Sequence, residues 1–229
     1  MIDKDANPRS QLQACGDKLR HAGSGFKKAG LIAGLTLFFH ALVLPNAGPH
    51  IRRMVYKVDP YSLSAYDHVL RVLRENRTGL PLIEKKRLAS VIIAESAAYK
   101  VDPIFVMALI KTESGFYNRS RSEKGAIGLM QIRPQTGEAL AEELDLDWVG
   151  ERTLLNPFVN VKLGIHYLSV LMARYDNDVV KSLAAYNLGP SNVAVASGGQ
   201  DVPTLFANKV LDNYKEIKER VEDNYGDGV

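Results

Sequence analysis

The stretch Asp102-Pro-Ile-Phe-Val-Met-Ala-Leu-Ile-Lys-Thr-Glu-Ser-Gly115 decides how this chain folds. Asp followed by Pro is a helix-opening pair, because the Asp carboxylate accepts from the first free backbone N–H groups and Pro fits the first helical position. An unbroken apolar run, Ile104 to Ile110, follows. Gly115 supplies a stop, since glycine adopts the left-handed conformation that ends helices. The expected helix, Asp102 to Ser114, is therefore mostly buried. Glu113 sits in its last turn, at the negative pole of the helix dipole, which disfavours a second negative charge. Apolar neighbours act in the same direction by desolvation. A carboxylic acid kept protonated near neutral pH is what a general acid needs. An ordinary surface glutamate at a helix end has the same local signature, so the stretch settles the helix and leaves the chemistry open.

Outward from it the pattern stays helical. A helix capped by Ser62 or Ser64 runs to about Arg74, and Asn76 to Gly79 break it. Leu82 to Tyr99 reads as a longer helix with Ile83, Leu88, Val91, Ile92 and Ala94 inward. Phe116 to Ile127, rich in Ser, Arg, Asn and Gly, reads as loop. Pro134 to Leu144 is a short helix, Asp145 to Asn156 is mostly irregular, and Pro157 to Tyr175 is a strong helix with Val161, Leu163, Gly164, Tyr167, Leu168, Leu171 and Met172 inward. Helices over Asp178 to Tyr186, from Pro190, and over Thr204 to Glu222 follow, the last with Leu205, Val210, Leu211, Tyr214 and Ile217 inward. No strand pattern or internal repeat interrupts this, so the fold class is all-α.

Composition narrows the function. The formal charge of +3 over 229 residues belongs to the N-terminal part: residues 51–229 hold 23 basic and 23 acidic side chains. A neutral main domain has no electrostatic footprint for nucleic acid. One cysteine, Cys15, excludes an intrachain disulfide and a multi-Cys metal site. The five histidines lack metal-ligand spacing, and His166 lies on an amphipathic pattern that gives it a structural role. Residues 1–28 read as a polar tail. Lys27-Lys28 then precede sixteen uncharged residues, Ala29 to Leu44, closed by Pro45-Asn-Ala-Gly-Pro49. Residues 29–48 are expected to be a secretory signal sequence or a membrane anchor. A small-x-small cleavage site is poorly formed, and Lys27-Lys28 predict a cytoplasmic N-terminus, a bias that Arg52-Arg53 after the segment weaken.

Three stretches join Glu113. Gly125-Ala-Ile-Gly-Leu-Met-Gln-Ile132 combines glycines that permit close backbone approach with an amide, Gln131, that can bond a polar ligand. Ala184-Ala-Tyr-Asn-Leu-Gly-Pro190 ends a helix with Tyr186 and Asn187. Asn156-Pro157, Asn160, Gly164 and Tyr167-Leu168 form mainly a packing pattern. Their order, Glu-Ser, then Gly-Leu-Met-Gln, then Asn-Pro…Gly…Tyr-Leu, then Ala-Tyr-Asn-x-Gly-Pro, resembles the catalytic domain of the soluble lytic transglycosylases, a branch of the goose-type-lysozyme-like superfamily. The resemblance covers roughly residues 85–222.

The resemblance implies a lysozyme-like all-α domain with a groove for glycan strands. It also implies cleavage of the β-1,4 bond between N-acetylmuramic acid and N-acetylglucosamine in peptidoglycan, leaving a 1,6-anhydromuramic acid end. Carried onto this chain, Glu113 is the catalytic acid and then base. Ser114, Gly128, Leu129, Met130, Gln131, Tyr186 and Asn187 become the substrate-binding residues. One departure stands out. Where the family often has Glu-Thr-x-x-Tyr-Val, this chain reads Val202-Pro-Thr-Leu-Phe-Ala207, so Phe206 lacks a hydroxyl. Most hydrolytic glycosidases use two carboxylates, whereas only Glu113 lies in a motif here and Glu123 sits in a charged loop. An intramolecular attack by the sugar's own hydroxyl needs no second carboxylate, metal or cofactor. A hydrolytic muramidase and a non-catalytic peptidoglycan-binding module are the alternatives. The expected partners are peptidoglycan glycan strands and, if residues 29–48 are uncleaved, the cytoplasmic membrane. The expected location is the periplasm or cell envelope. The expected parts are the tail (1–28), the signal or anchor (29–48), a helical extension (49–84), the catalytic domain (85–222) and a C-terminal tail (223–229).

Overall fold

The computed structural model describes residues 60–196 and 203–226, with side chains described for 64–193 and 203–220. The expected tail and the signal or anchor over 1–48 lie outside the described residues. Among the described residues no helix is long and apolar enough to cross a membrane. The chain forms α1 (Pro60–Glu75), α2 (Leu82–Tyr99), α3 (Pro103–Ser114), α4 (Pro134–Glu143), α5 (Glu151–Leu155), α6 (Pro157–Arg174), α7 (Val179–Leu188), α8 (Pro190–Ala196) and α9 (Leu205–Gly226). The described residues contain no strand, only isolated bridges that join Ile127 to Arg121 and to Ile132.

Two helices organise the rest. In α3, Val106 to Ile110 are all fully buried, so the helix is apolar on every side and must be surrounded. Each of its larger aliphatic side chains contributes roughly 1.5–3 kcal/mol by leaving water. It is flanked by α1, α2 and, most extensively, α9. The second hub is α6, which packs against α2, α4, α5 and α7. Its ends are set as the sequence requires. Asn156 caps it by accepting from the N–H groups of Phe158 and Val159, and Pro157 takes the first position. Asp102 likewise caps α3 through Ile104 N, and Gly115 ends it at φ 57°.

The last helix grips the helix that carries Glu113. Lys111 pairs with Glu216, the Asn213 amide donates to Thr112 Oγ1 at 2.8 Å, and the Tyr214 hydroxyl donates to Asp102 Oδ2 at 2.6 Å. Tyr214 also meets Phe105 edge-on at 5.8 Å.

Several expectations need correction. The first helix starts at Pro60, so neither Ser62 nor Ser64 caps it. In α2, Ile83 is 72% exposed and Ala94 is also exposed. The inward stripe is Leu88, Ala89, Ile92 and Ser96, and at about 3.6 residues per turn both Ile83 and Ala94 fall on the side opposite Ile92. In α9 the inward stripe is Ala207, Val210 and Ile217, which leaves Leu205 and Leu211 exposed. The stretch read as irregular contains the short α5. The expected join at 84/85 falls inside α2, and the turn before α2 is tied to the loop after α3 by Asn118 N donating to Thr78 O at 3.0 Å.

Candidate active site

Glu113 lies in the last turn of α3, half-buried. Its carboxyl is pushed from 4.5 up to about 8, chiefly by burial, against the pull of the Lys209 ammonium on α9. Lys209 shares a face of α9 with Asn213 and Glu216, four and seven residues on, the residues that hold Thr112 and Lys111. Among the described residues, Lys209 is the charge that acts on this carboxyl. Glu123 is exposed in its loop. At neutral pH the site therefore holds a protonated acid.

Beside it, the loop from Ile127 to Ile132 is built around a buried amide. Asn160, on the inward face of α6, is fully buried. Its Oδ1 accepts from Met130 N at 2.8 Å, and its Nδ2 donates to Ile127 O at 2.9 Å and Leu154 O at 3.0 Å. Gly128, at φ 85°, leaves the space this amide needs: a Cβ there would collide with the Asn160 side chain and lie 2.7 Å from Leu154 O. Met130 seats on Gly164 of the same helix, where a Cβ would run into its side chain. Ser114 Oγ donates to Leu129 O at 2.8 Å or to Ile110 O at 3.1 Å, which ties the end of α3 to this loop.

Tyr186 closes the arrangement from α7. Its hydroxyl donates to Met130 O at 2.9 Å, and its ring meets that of Tyr167 at 5.2 Å. Burial, then the charge of Glu113, then Tyr167 hold this hydroxyl well above its usual range, so it stays a donor. Asn187, the next residue, is exposed. Phe206 is half-buried against the core and brings no hydroxyl.

Glu113, Ser114, the Gly128–Gln131 loop and Tyr186 are thus brought together, though not all in the expected way. The side chains of Leu129 and Met130 are fully buried, so they pack beneath the loop and are not an open groove wall. Ser114 spends its hydroxyl on backbone oxygens rather than facing a ligand. Gln131, at φ 47°, donates Nε2 to Gly128 O at 2.8 Å and Ser120 O at 3.2 Å, so its carbonyl oxygen is what remains for a ligand. Two residues were missed. Asn160 looked like part of a packing pattern, yet an amide on the inward stripe of a helix must find partners, and that was its signal. Lys209 carried no local signal, because its meeting with Glu113 depends on how α9 crosses α3.

Replacing Asn160 by Ala is expected to leave Met130 N without its acceptor and to remove the amide donor to Leu154 O and Ile127 O, the latter keeping Ile132 N. The expected loss is about 3–5 kcal/mol, read as a lower midpoint in urea denaturation.

Among the described residues no group of His, Cys, Asp and Glu could hold a metal ion. Residues 90–201 match the family model described as the transglycosylase SLT domain. Residues 90–201 belong to the transglycosylase SLT domain family. Among curated relatives, the soluble lytic murein transglycosylase of Salmonella typhimurium is 34% identical over 39% of this chain and 14% of its own length. The endo-type membrane-bound lytic murein transglycosylase A of Klebsiella pneumoniae subsp. pneumoniae is 31% identical over 58% of this chain and 66% of its own. A solved structure of an inactive variant of the lytic transglycosylase Slt from Pseudomonas aeruginosa aligns at 25% identity and a TM-score of 0.45, over 58% of this chain and 22% of that one. The SLT domain chain thus spans a small part of the soluble relatives and about two thirds of the membrane-bound one. The matched residues 90–201 include Glu113, Ser114, Gly128–Gln131, Tyr186 and Asn187, and stop short of Phe206 and Lys209.

Proposed function

We propose that this SLT domain protein is a peptidoglycan lytic transglycosylase with Glu113 as its acid and base. The carrying observation is a carboxyl held protonated to about pH 8 at the end of α3, next to the Tyr186 phenol and the Gly128–Gln131 loop. The sugar strand lies across this loop. Glu113 gives its proton to the glycosidic oxygen between N-acetylmuramic acid and N-acetylglucosamine as that C–O bond breaks. The carboxylate then accepts the proton of the muramic acid C6 hydroxyl as its oxygen bonds to the anomeric carbon. This closes the 1,6-anhydro ring and returns Glu113 to its starting state. An internal nucleophile benefits from proximity, so activating a water with a second carboxylate is unnecessary. The substrate lies outside the cytoplasmic membrane, which fits residues 29–48 as an export signal or tether. A hydrolytic muramidase would use the same acid and a water.

The mass of the released muropeptides tests the reading. Incubation with purified sacculi is expected to give anhydro products. Products heavier by one water would replace the transglycosylase with a hydrolase. Binding to sacculi with no product would leave only a glycan-binding module.

A further inference from the structure

Beyond Tyr186 the site continues into a positively charged corner that the proposed proton transfers do not use. Tyr167, on α6, meets Tyr186 with the two rings tilted by 46° and is nine-tenths buried. Its hydroxyl has no hydrogen-bond partner among the described residues, yet it is not sealed from solvent. Two arginines lie within electrostatic reach of that hydroxyl. Arg174 is on the same helix, seven residues and about two turns on, which puts it on the face of Tyr167. Arg133 follows Gln131 by two residues, at the exposed exit of the site loop. Neither arginine has an ion-pair partner among the described residues, although Arg121 in the neighbouring loop pairs with Glu151. Arg133 is also the residue before α4, and no side chain caps that helix, so the N–H groups that follow Pro134 in its first turn have no side-chain acceptor.

An unpartnered phenol, two unpaired guanidiniums and an uncapped helix start are all donors, and the contact of Tyr167 with Tyr186 connects them to the acid. We propose that Arg133, Arg174 and the Tyr167 hydroxyl form an anion subsite that takes a carboxylate of the glycan strand beside the bond to be cut. Guanidinium forks match carboxylate geometry, and charge-assisted hydrogen bonds of this kind are strong. Peptidoglycan offers such a group in two places, the stem peptides and the lactyl ether of a muramic acid whose peptide has been removed. The inference rests on the glycan-cleaving reading and adds the feature of the strand that fixes its position.

Binding in the full-length Glu113→Gln background separates the two ideas, because it needs no turnover. Three probes are used: peptide-bearing murein strands, strands stripped of peptide by an amidase so that the lactyl carboxylate is free, and an uncharged chitooligosaccharide. Arg133→Gln with Arg174→Gln is expected to weaken a carboxylate-bearing strand about tenfold to a hundredfold. Binding of the chitooligosaccharide stays unchanged, and the weakening that added salt causes in the parent disappears. Whichever murein arm responds identifies the carboxylate. Equal losses for charged and uncharged probes, no loss for any, or no strand binding by the parent would overturn the subsite. Absence of product from the wild type would overturn the enzymatic reading while these binding results still stand.

Discussion

Replacing Glu113 by Gln is expected to cut the release of anhydro-muropeptides by on the order of 10³-fold or more while the protein folds normally. General acid–base catalysis typically contributes about 10²–10⁴-fold. In the proposed route one carboxyl carries both proton transfers, which places the loss toward the upper end. Gln has nearly the shape of the protonated acid and is likewise neutral. Since Glu113 is already protonated at neutral pH, the substitution changes neither the charge nor the packing of the site there. Turnover of purified sacculi and the thermal midpoint, measured on the same samples, check both halves. Undiminished turnover would remove Glu113 from the chemistry, and collapse of the fold would show that its carboxyl is needed for structure. The wild-type rate is also expected to decline as pH rises through about 8, where the acid loses its proton.

The second large effect is on stability. Glu113 is protonated in both folded and unfolded chains below 4.5, so it causes no pH dependence there. Between 4.5 and about 8 the unfolded chain has lost that proton and the folded chain keeps it. The folded state then binds more protons, and stability falls as pH rises. Above about 8 the folded protein must bury the charge, and the loss levels off at roughly 5 kcal/mol, at about 1.4 kcal/mol per pH unit. That is comparable with the whole stability of a marginal domain, about 5–15 kcal/mol. Urea denaturation at pH 5 and pH 9 is expected to show this drop in the wild type and to lose most of it in Glu113→Gln. Glu95, also pushed up by burial, adds a slope of the same sign to both proteins, so the difference between them isolates Glu113. Equal slopes would mean that the carboxyl is better solvated than its place at the end of α3 implies.

The helices were largely legible in the sequence because their ends are marked by side chains with local effects. Asp102 and Pro103 open α3, Asn156 and Pro157 open α6, and Gly115 closes α3, each through neighbours a few residues away. The acid was legible for the same reason. Its raised pKa follows chiefly from burial, and the apolar run that leads into it is visible in Ile104–Ile110. What did not show was anything that depends on one helix meeting another. Ile83 and Leu205 looked inward because they are apolar, but the faces that α2 and α9 bury are decided by α6 and α3. Leu129 and Met130 were expected as groove wall, and their burial follows from Gly164 and Asn160, at least thirty residues on. Ser114 turned out to serve the backbone of the loop, a partner that its position next to Glu113 could not reveal.

The grip of α9 on α3 has a consequence in time. Lys111 and Glu216 are 105 residues apart in sequence, and Thr112 and Asn213 are 101. Contacts at such separation form only after the intervening loop closure has been met, which makes them late in folding. Synthesis must have passed Lys209, 96 residues beyond Glu113, before the two can approach each other. The cation that moderates the acid's protonation is therefore a late arrival, and a nascent chain has a glutamate at that position before it has this neighbour.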